Sequence, residues 1–429
     1  MDSKKINLVA ADMGYGHQRA AYPLMDLSGG EVITINNYPG IPDWEKEYWV
    51  KSLRSYERIS RFKKIPFLGG LVFEIMDAFQ KIKPFYPFRD LSRPTVQQKY
   101  FFKFIKKGLG KALIKKLNPS GLPFVTTFFV AAYIAEYYDY QGDIYCIICD
   151  TDASRAWAPL NPGNSRTKFL VPNAKVRERF LMYGVKAENI FVSGFPLPKE
   201  NIGADKKILK TAIARRLAAL DPQGVYRQQY QALLKEILPD FAQEAVLEMA
   251  HPLTITFAVG GAGAQAEIGS AIMTKLAEAI KQKKINLNLI AGNRPEVKDY
   301  FIEEIRRLKL EAVAGIQIIF DADKVEYFKK FNQCLNQTDI LWTKPSELSF
   351  YCALGLPIIM SVPVGSQENF NREWLLTIGA GIDSLEPQYI DEWLPDLLES
   401  GRLARAAIDG FLNAEQSGAY NVEKLLLEK

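Results

Sequence analysis

The sequence predicts an α/β protein built as two Rossmann-like units, each around a parallel sheet. Three observations predict it. Apolar runs of strand length alternate with helix-length segments in both halves, and such alternation implies parallel strands joined by right-handed crossovers. Each half also opens with a glycine-bearing turn directly behind an apolar strand. Gly14-Tyr15-Gly16-His17 follows the run 6–11, and Gly260-Gly261-Ala262-Gly263-Ala264-Gln265 follows the run 253–259. Finally, 429 residues, 48% apolar and 24% charged, suffice for two or three globular domains with their own cores.

In the first half, 6–11 reads as a strand, 18–27 as a helix, and 31–36 as a second strand because apolar and polar residues alternate. A basic, aromatic, mostly helical region follows, broken at Pro66, Pro84, Pro87, Pro94 and Pro119. Run 124–128 is a strand, 130–138 a helix, and 143–149 a buried strand ending in Asp150-Thr151-Asp152. Strands over 168–171 and 190–193 complete this sheet, with a helix over 175–183 between them. Segment 199–251 is charged and strandless, and reads as a helical linker or insertion. Alternation then resumes, with strands over 253–259, 287–291, 316–320, 340–342 and 357–362. The helices between and after them cover 264–281, 295–308, 325–335, 347–354 and 369–378. The expected domains are 1–198, carrying the basic insertion at about 51–116, then 199–251 and 252–385. Helices over 386–429 are expected to pack back toward the first domain.

No window holds 18 uninterrupted apolar residues, which argues against a spanning helix. Lys4-Lys5 precede a short apolar run leading into Asp12, a first strand rather than a signal peptide. Four cysteines give no disulfide framework. Cys146 and Cys149, three apart on one strand, point to opposite faces and read as reduced core cysteines of a cytosolic protein. Neither a metal nor a cofactor is expected. The net charge of +5 is unevenly spread: residues 51–116 hold 17 Lys and Arg against 4 Asp and Glu. Aromatics such as Phe67, Phe73, Phe85, Tyr86, Phe88 and Tyr100 are interleaved with them. That composition suits an anionic membrane surface; a plain solvated helical face and a nucleic-acid surface are the other readings, the last not expected.

The chemistry-bearing residues lie behind the strands. Glycines at 260, 261 and 263 leave backbone N–H groups free at a helix start, a geometry that binds phosphate. The loop is not a P-loop, because no Gly-Lys-Ser/Thr follows, and Ala266 stands where a dinucleotide fingerprint needs its third glycine. In Trp342-Thr343-Lys344-Pro345-Ser346-Glu347, Ser346 is placed to cap a helix, Lys344 to neutralise a diphosphate, and Glu347 to accept from ribose hydroxyls or favour the helix dipole. Gln367 and Glu368 sit past the C-terminal end of the strand 357–362, the edge where open α/β sheets bind ligands. In the first half His17 is one of only two histidines and suits a general base near neutral pH. Asp12, Asp150 and Asp152 are the alternative bases, or orient His17. His251 reads as a linker residue.

Taken in order, these motifs resemble the GT-B glycosyltransferases of the group that holds the peptidoglycan N-acetylglucosaminyltransferase and monogalactosyldiacylglycerol synthase (glycosyltransferase family 28-like). The likeness spans most of the chain. Gly14-Tyr15-Gly16-His17-Gln18-Arg19-Ala20-Ala21 is similar to that family's first glycine loop, and Gly260 to Gln265 to its diphosphate loop. Val171-Pro172-Asn173, Tyr183-Gly184-Val185 and Val192-Ser193-Gly194-Phe195-Pro196-Leu197 resemble the end of its acceptor domain. Thr343-Lys344-Pro345 to Gly355-Leu356-Pro357, with Gln367-Glu368 and Asn371, resembles its nucleotide-sugar signature.

The resemblance implies two Rossmann-like domains facing across a cleft, and metal-independent transfer of a sugar from a nucleoside-diphosphate donor, UDP foremost, to an acceptor hydroxyl. It implies a donor site at Gly260, Gly261, Ala262, Gly263, Ala264, Gln265, Thr343, Lys344, Ser346, Glu347, Gln367 and Glu368. It also implies an acceptor loop at Gly14, Tyr15 and Gly16, a lipid or lipid-linked acceptor, and a cytoplasmic protein peripheral to the inner face of the membrane. One departure stands out: the family's ribose-binding helix glutamate has no counterpart in Phe350-Tyr351-Cys352. Either Glu347 takes over that contact or donor recognition differs. A non-hydrolysing sugar-nucleotide epimerase and an inactive nucleotide-sugar-binding protein are the alternative classes.

Overall fold

The computed structural model describes residues 4–62, 82–240, 251–260, 263, 265–363 and 365–428, the side chains of 53–62 and 366 excepted. The chain divides into two compact units. One holds Met1–Pro196, Gly365–Phe370 and Ser417–Lys429; the other holds Leu197–Val364 and Asn371–Gln416.

The first unit is built on β1 (Asn7–Ala10), β2 (Ile33–Thr34), β3 (Phe124–Thr126), β4 (Ile144–Ile147), β5 (Lys168–Val171) and β6 (Ile190–Val192). Their order is β2-β1-β3-β4-β5-β6, and every neighbouring pair is parallel. These strands read as apolar runs because both faces are covered. Val9, Phe124, Cys146 and Phe169 join one core cluster. Leu8, Val125, Ile147 and Leu170 join another, together with Ala419, Val422 and Leu426 of the last helix, Gly418–Leu427. The four cysteines are free thiols.

The described part of the basic region forms the helices Asp43–Phe62, Val96–Lys106 and Lys111–Leu117. Thr95 starts the second with a capping box: its Oγ1 accepts from Gln98 N at 3.2 Å, and Gln98 Oε1 accepts from Thr95 N at 2.9 Å. Residues 63–81, with Phe67 and Phe73 of the expected membrane-facing patch, lie outside the described residues.

The second unit is built on β7 (Leu253–Ala258), β8 (Ile285–Gly292), β9 (Ile316–Phe320), β10 (Ile340–Thr343), β11 (Ile358–Met360) and β12 (Gly381–Asp383). The order is β12-β11-β10-β7-β8-β9, again entirely parallel. Most of the segment expected as a linker is integral here. Helix Lys207–Leu220 buries Leu209, Ile213 and Leu217. Fully buried Arg216 on it donates to the carbonyls of Leu335, Thr338 and Leu354 at 2.5 to 2.8 Å. Burial pushes the Arg216 pKa down to about 9.

Strand order fixes where ligands can approach. In the first sheet the chain runs from β1 to β2 on one side and places β3 on the other, so the topology switches between β1 and β3. In the second, β8 and β9 lie to one side of β7 and β10 to β12 to the other, which puts the switch between β7 and β10. Crevices at the C-terminal ends of such strand pairs are the ligand sites of open α/β sheets. Two Rossmann-like parallel sheets in one chain are the architecture of the GT-B class, and the fold class read from the sequence stands on this topology.

Candidate functional site

In the second unit, β7 and β10 pair with Ala258 beside Thr343, and Thr343 Oγ1 donates to Ala258 O at 3.4 Å. Gly260 lies just past β7 and Lys344 just past β10. A Cβ built on Gly260 would stand 2.8 Å from Lys344 Cε and 3.6 Å from Nζ, so the lysine stem lies against bare glycine backbone. Gly263 N donates to Gly260 O at 2.7 Å and closes a tight turn. Gly263 has φ +71°, the left-handed region that glycine enters without strain. Gln265 heads the helix Ala266–Lys281 and donates from Nε2 to Val362 O at 3.2 Å. A tight turn, a helix start and an ammonium thus share one switch point, the ingredients of an anion site. Gly261, Ala262 and Ala264 lie outside the described residues.

Asn371, buried, donates from Nδ2 to Pro345 O at 3.3 Å and fixes the turn that carries Lys344. Ser346 precedes the 3₁₀ helix Glu347–Leu354, but its side chain makes no capping bond, a correction to the expected cap. The reason is the tighter turn: Ser349 N, the donor that a cap hydroxyl would take, already bonds Ser346 O at 3.0 Å. Glu347 is half-buried in the first turn of that helix. Gln367 and Glu368, in the first turn of the helix Ser366–Thr377, group with the first unit rather than with Gly260 and Lys344.

Arg294 was not anticipated. β8, the other neighbour of β7, ends at Gly292, and the loop behind it carries Arg294 to the glycine turn. A Cβ on Gly263 would be 3.5 Å from Arg294 Cδ and 3.1 Å from Val297 Cγ2. Arg294 Nη1 lies 3.3 Å from Glu296 Oε1, with side-chain exposures of 28% and 66%. The signal was the run Gly292-Asn293-Arg294-Pro295 directly behind a strand of the same sheet.

In the first unit the switch point holds His17. Gly14, at φ +113°, turns the chain at once into the helix Tyr15–Ala21. Tyr15, Gly16 and His17 are therefore the first turn of a helix, not the loop expected from the sequence. His17 Nδ1 lies 2.6 Å from Thr127 O, just past β3, and Thr127 Oγ1 donates to His17 O at 2.8 Å. A carbonyl only accepts, so Nδ1 carries a proton. Phe128 packs edge-on to the ring at 5.1 Å between centroids, with Trp157 at 6.1 Å.

The three aspartates differ in setting. Asp152 is fully buried, and its two oxygens accept from Arg179 Nε at 2.9 Å and Nη2 at 2.8 Å; Ala153 N adds a third bond at 2.8 Å. Burial opposes the Arg179 charge, but the Asp152 bonds and charge hold its pKa above the ordinary value. Asp150 is half-buried in the bend after β4. Asp12, also half-buried, is held through its backbone by Asn36, which accepts from Asp12 N at 2.9 Å and donates to Asp12 O at 3.1 Å. His251 is no bare linker residue. Its Nε2 lies 3.0 Å from buried Asp339 Oδ2, and Arg215 Nη2 donates to Asp339 Oδ1 at 3.0 Å, where β7 and β10 begin.

Among the described residues no group of three or more His, Cys, Asp or Glu is placed to hold a metal, and no helix is long and apolar enough to cross a membrane. A family model described as "Domain of unknown function (DUF6938)" matches residues 231–315, which include β7, the glycine turn and Arg294. No curated protein matches the chain. Among solved structures, the S. aureus MnaA-UDP co-structure is 12% identical and covers 99% of this chain and 95% of its own, at a TM-score of 0.49. The UDP-GlcNAc 2-epimerase from Neisseria meningitidis bound to UDP-GlcNAc is 12% identical, with coverages of 98% and 99% and a TM-score of 0.48. The Acinetobacter baumannii MurG is 13% identical, with coverages of 76% and 78% and a TM-score of 0.45.

Proposed function

We propose that this protein is a GT-B glycosyltransferase that moves a sugar from a nucleoside-diphosphate donor, UDP foremost, to an acceptor hydroxyl without a metal. The observation that carries this reading is the glycine turn of the second unit with Lys344 laid against Gly260. The leaving diphosphate gains negative charge in the transition state. Backbone N–H groups, a helix start and an ammonium held in place are the stabilisers that such a charge needs.

The first unit supplies the base in this reading. In this reading His17, whose Nδ1–H donates to Thr127 O, takes the acceptor's proton on Nε2 as the new glycosidic bond forms. Against Asp152 in that role, its two oxygens already accept from Arg179 and Ala153. Half-buried Asp150 and Asp12 are the alternative bases, or orient His17.

For the acceptor we favour a lipid or lipid-linked hydroxyl at an anionic membrane surface. Tyr86 and Phe88 are 69% and 62% exposed beside exposed Lys83 and half-buried Arg89, an apolar and cationic combination that suits an interface. Flotation with anionic liposomes at low and high salt tests this. Failure to float at low salt would remove the membrane part and leave the transferase part standing.

The reaction itself is tested by incubating the protein with a panel of UDP- and GDP-sugars, with and without lipid extract, and following nucleotide release and labelled product. Transfer that needs acceptor supports the reading. Isomerised nucleotide sugar without acceptor would make the protein an epimerase, and binding without turnover would make it a nucleotide-sugar-binding protein.

A further inference from the structure

β4 and β5 are parallel neighbours, and the chain has to cross over between them. Every other crossover of this sheet carries an α-helix. The connection over 148–167 carries only two short 3₁₀ turns, Arg155–Trp157 and Pro162–Asn164. It is also buried where connecting segments are ordinarily exposed: each residue from Thr151 to Ala158 is at most 6% exposed.

Irregular backbone at that depth needs side chains to satisfy its carbonyls. Tyr183 Oη donates to Ala153 O at 2.7 Å, and Arg155 Nη2 donates to Pro159 O at 2.9 Å. Ala158 O alone is met by Gln98 Nε2, Tyr133 Oη and Arg155 Nη1 at 2.5 to 2.8 Å. The Asp152–Arg179 pair fixes the start of the stretch. What this bracket delivers is Trp157, whose ring stands 6.1 Å from His17 and 5.2 Å from Phe129 between centroids.

The His17 ring needs such a neighbour. A base that gains a proton on Nε2 and gives it up again has to keep one orientation through both states. The contact from Nδ1 to Thr127 O is a single hydrogen bond. Net of water, one such bond favours an orientation by roughly fivefold, so about one ring in six would be turned away from it. Close packing on the ring supplies the rest. Phe128 comes with Thr127 along the chain, whereas Trp157 is brought to the ring by the bracket.

We propose that Trp157 is the positioning residue of His17, and that the connection between β4 and β5 is built to hold it there. This role rests on the reading of His17 as the base and deepens it. Trp157 keeps the ring on Thr127 O, so that the same nitrogen is presented to the acceptor in every turnover.

Nitrogen-15 NMR of the histidine-labelled, full-length protein tests this. The chain has only two histidines, and His17→Gln identifies the signals of His17. Spectra are taken at about pH 8, where an imidazole with the ordinary pKa of about 6.5 is neutral. The wild type is expected to show His17 in the Nδ1–H tautomer alone. Trp157→Leu shows both tautomers, and Trp157→Phe mainly the first. Tyr133→Phe, which removes one anchor of the bracket and leaves Trp157 itself intact, shows an intermediate mixture. In steady-state transfer Trp157→Leu loses about ten- to a hundredfold in kcat with the donor KM unchanged, and Trp157→Phe recovers part of it. Melting temperatures show which variants are folded. A folded Trp157→Leu that keeps His17 wholly in the Nδ1–H tautomer overturns the proposal, as does a wild type in the other tautomer. If Trp157→Leu does not fold, Tyr133→Phe decides by the same spectrum. A wild type that transfers no sugar from any donor removes His17 as the base and the positioning role with it, a result distinct from an unmoved tautomer.

Discussion

His17 was the favoured base and Asp152 an alternative, and their surroundings differ. His17 donates from Nδ1 to a backbone carbonyl, whereas Asp152 is locked to Arg179 with both side chains fully buried. Replacing His17 with Ala is expected to lower kcat by about 10²- to 10⁴-fold while the donor KM stays near the wild-type value, as steady-state kinetics would show. Replacing Arg179 with Met leaves the Asp152 carboxylate buried without its main partner. Chemical denaturation should then report a loss of about 3–5 kcal/mol. The identity of these side chains was legible in the sequence, but their partners were not. Arg179 lies 27 residues beyond Asp152, and Thr127 lies 110 beyond His17. Such pairings are set by strand order, which residue spacing does not encode.

At the scale of elements, most strands were legible because a parallel strand buried on both faces is an uninterrupted apolar run. β12 was missed: Gly381-Ile382-Asp383 is a partly exposed three-residue edge strand that opens with glycine. The helix start at Tyr15 was placed late because Gly14 and Gly16 both read as breakers, while only Gly14 needs glycine's conformational range. The same distinction makes a prediction in the second unit. An alanine at Gly263 would have to hold φ +71° with its Cβ 3.1 Å from Val297, so Gly263→Ala should cost about 1–2 kcal/mol and weaken nucleotide binding. A melting curve with and without nucleotide checks both effects.

At the scale of the whole molecule, Glu45 is one group that couples stability to pH. It is fully buried, and burial raises its carboxyl pKa, opposed by hydrogen bonds from Gly110 and Tyr38. A pKa raised on folding gives stability that is complete below the unfolded value and is lost as pH rises through the folded one. Glu45→Gln should therefore match the wild type near pH 4 and become progressively more stable than it toward pH 7. Denaturation midpoints across that range measure the difference, and a constant or shrinking gap would refute the assignment.

The last helix, Gly418–Leu427, has a consequence for how the protein is made. Its Ala419, Val422 and Leu426 complete the core that begins with Ile6 and Leu8. Gly418 is so close to the Phe195 carbonyl that a Cβ there would overlap it, and Asn421 Nδ2 donates to Ser193 O at 3.0 Å. The first unit is therefore built from segments that lie on both sides of the second unit in the sequence. During synthesis its sheet must wait, with one face uncovered, while the whole second unit is translated. Removal of residues 417–428 would leave the core around Ile6 and Leu8 permanently open.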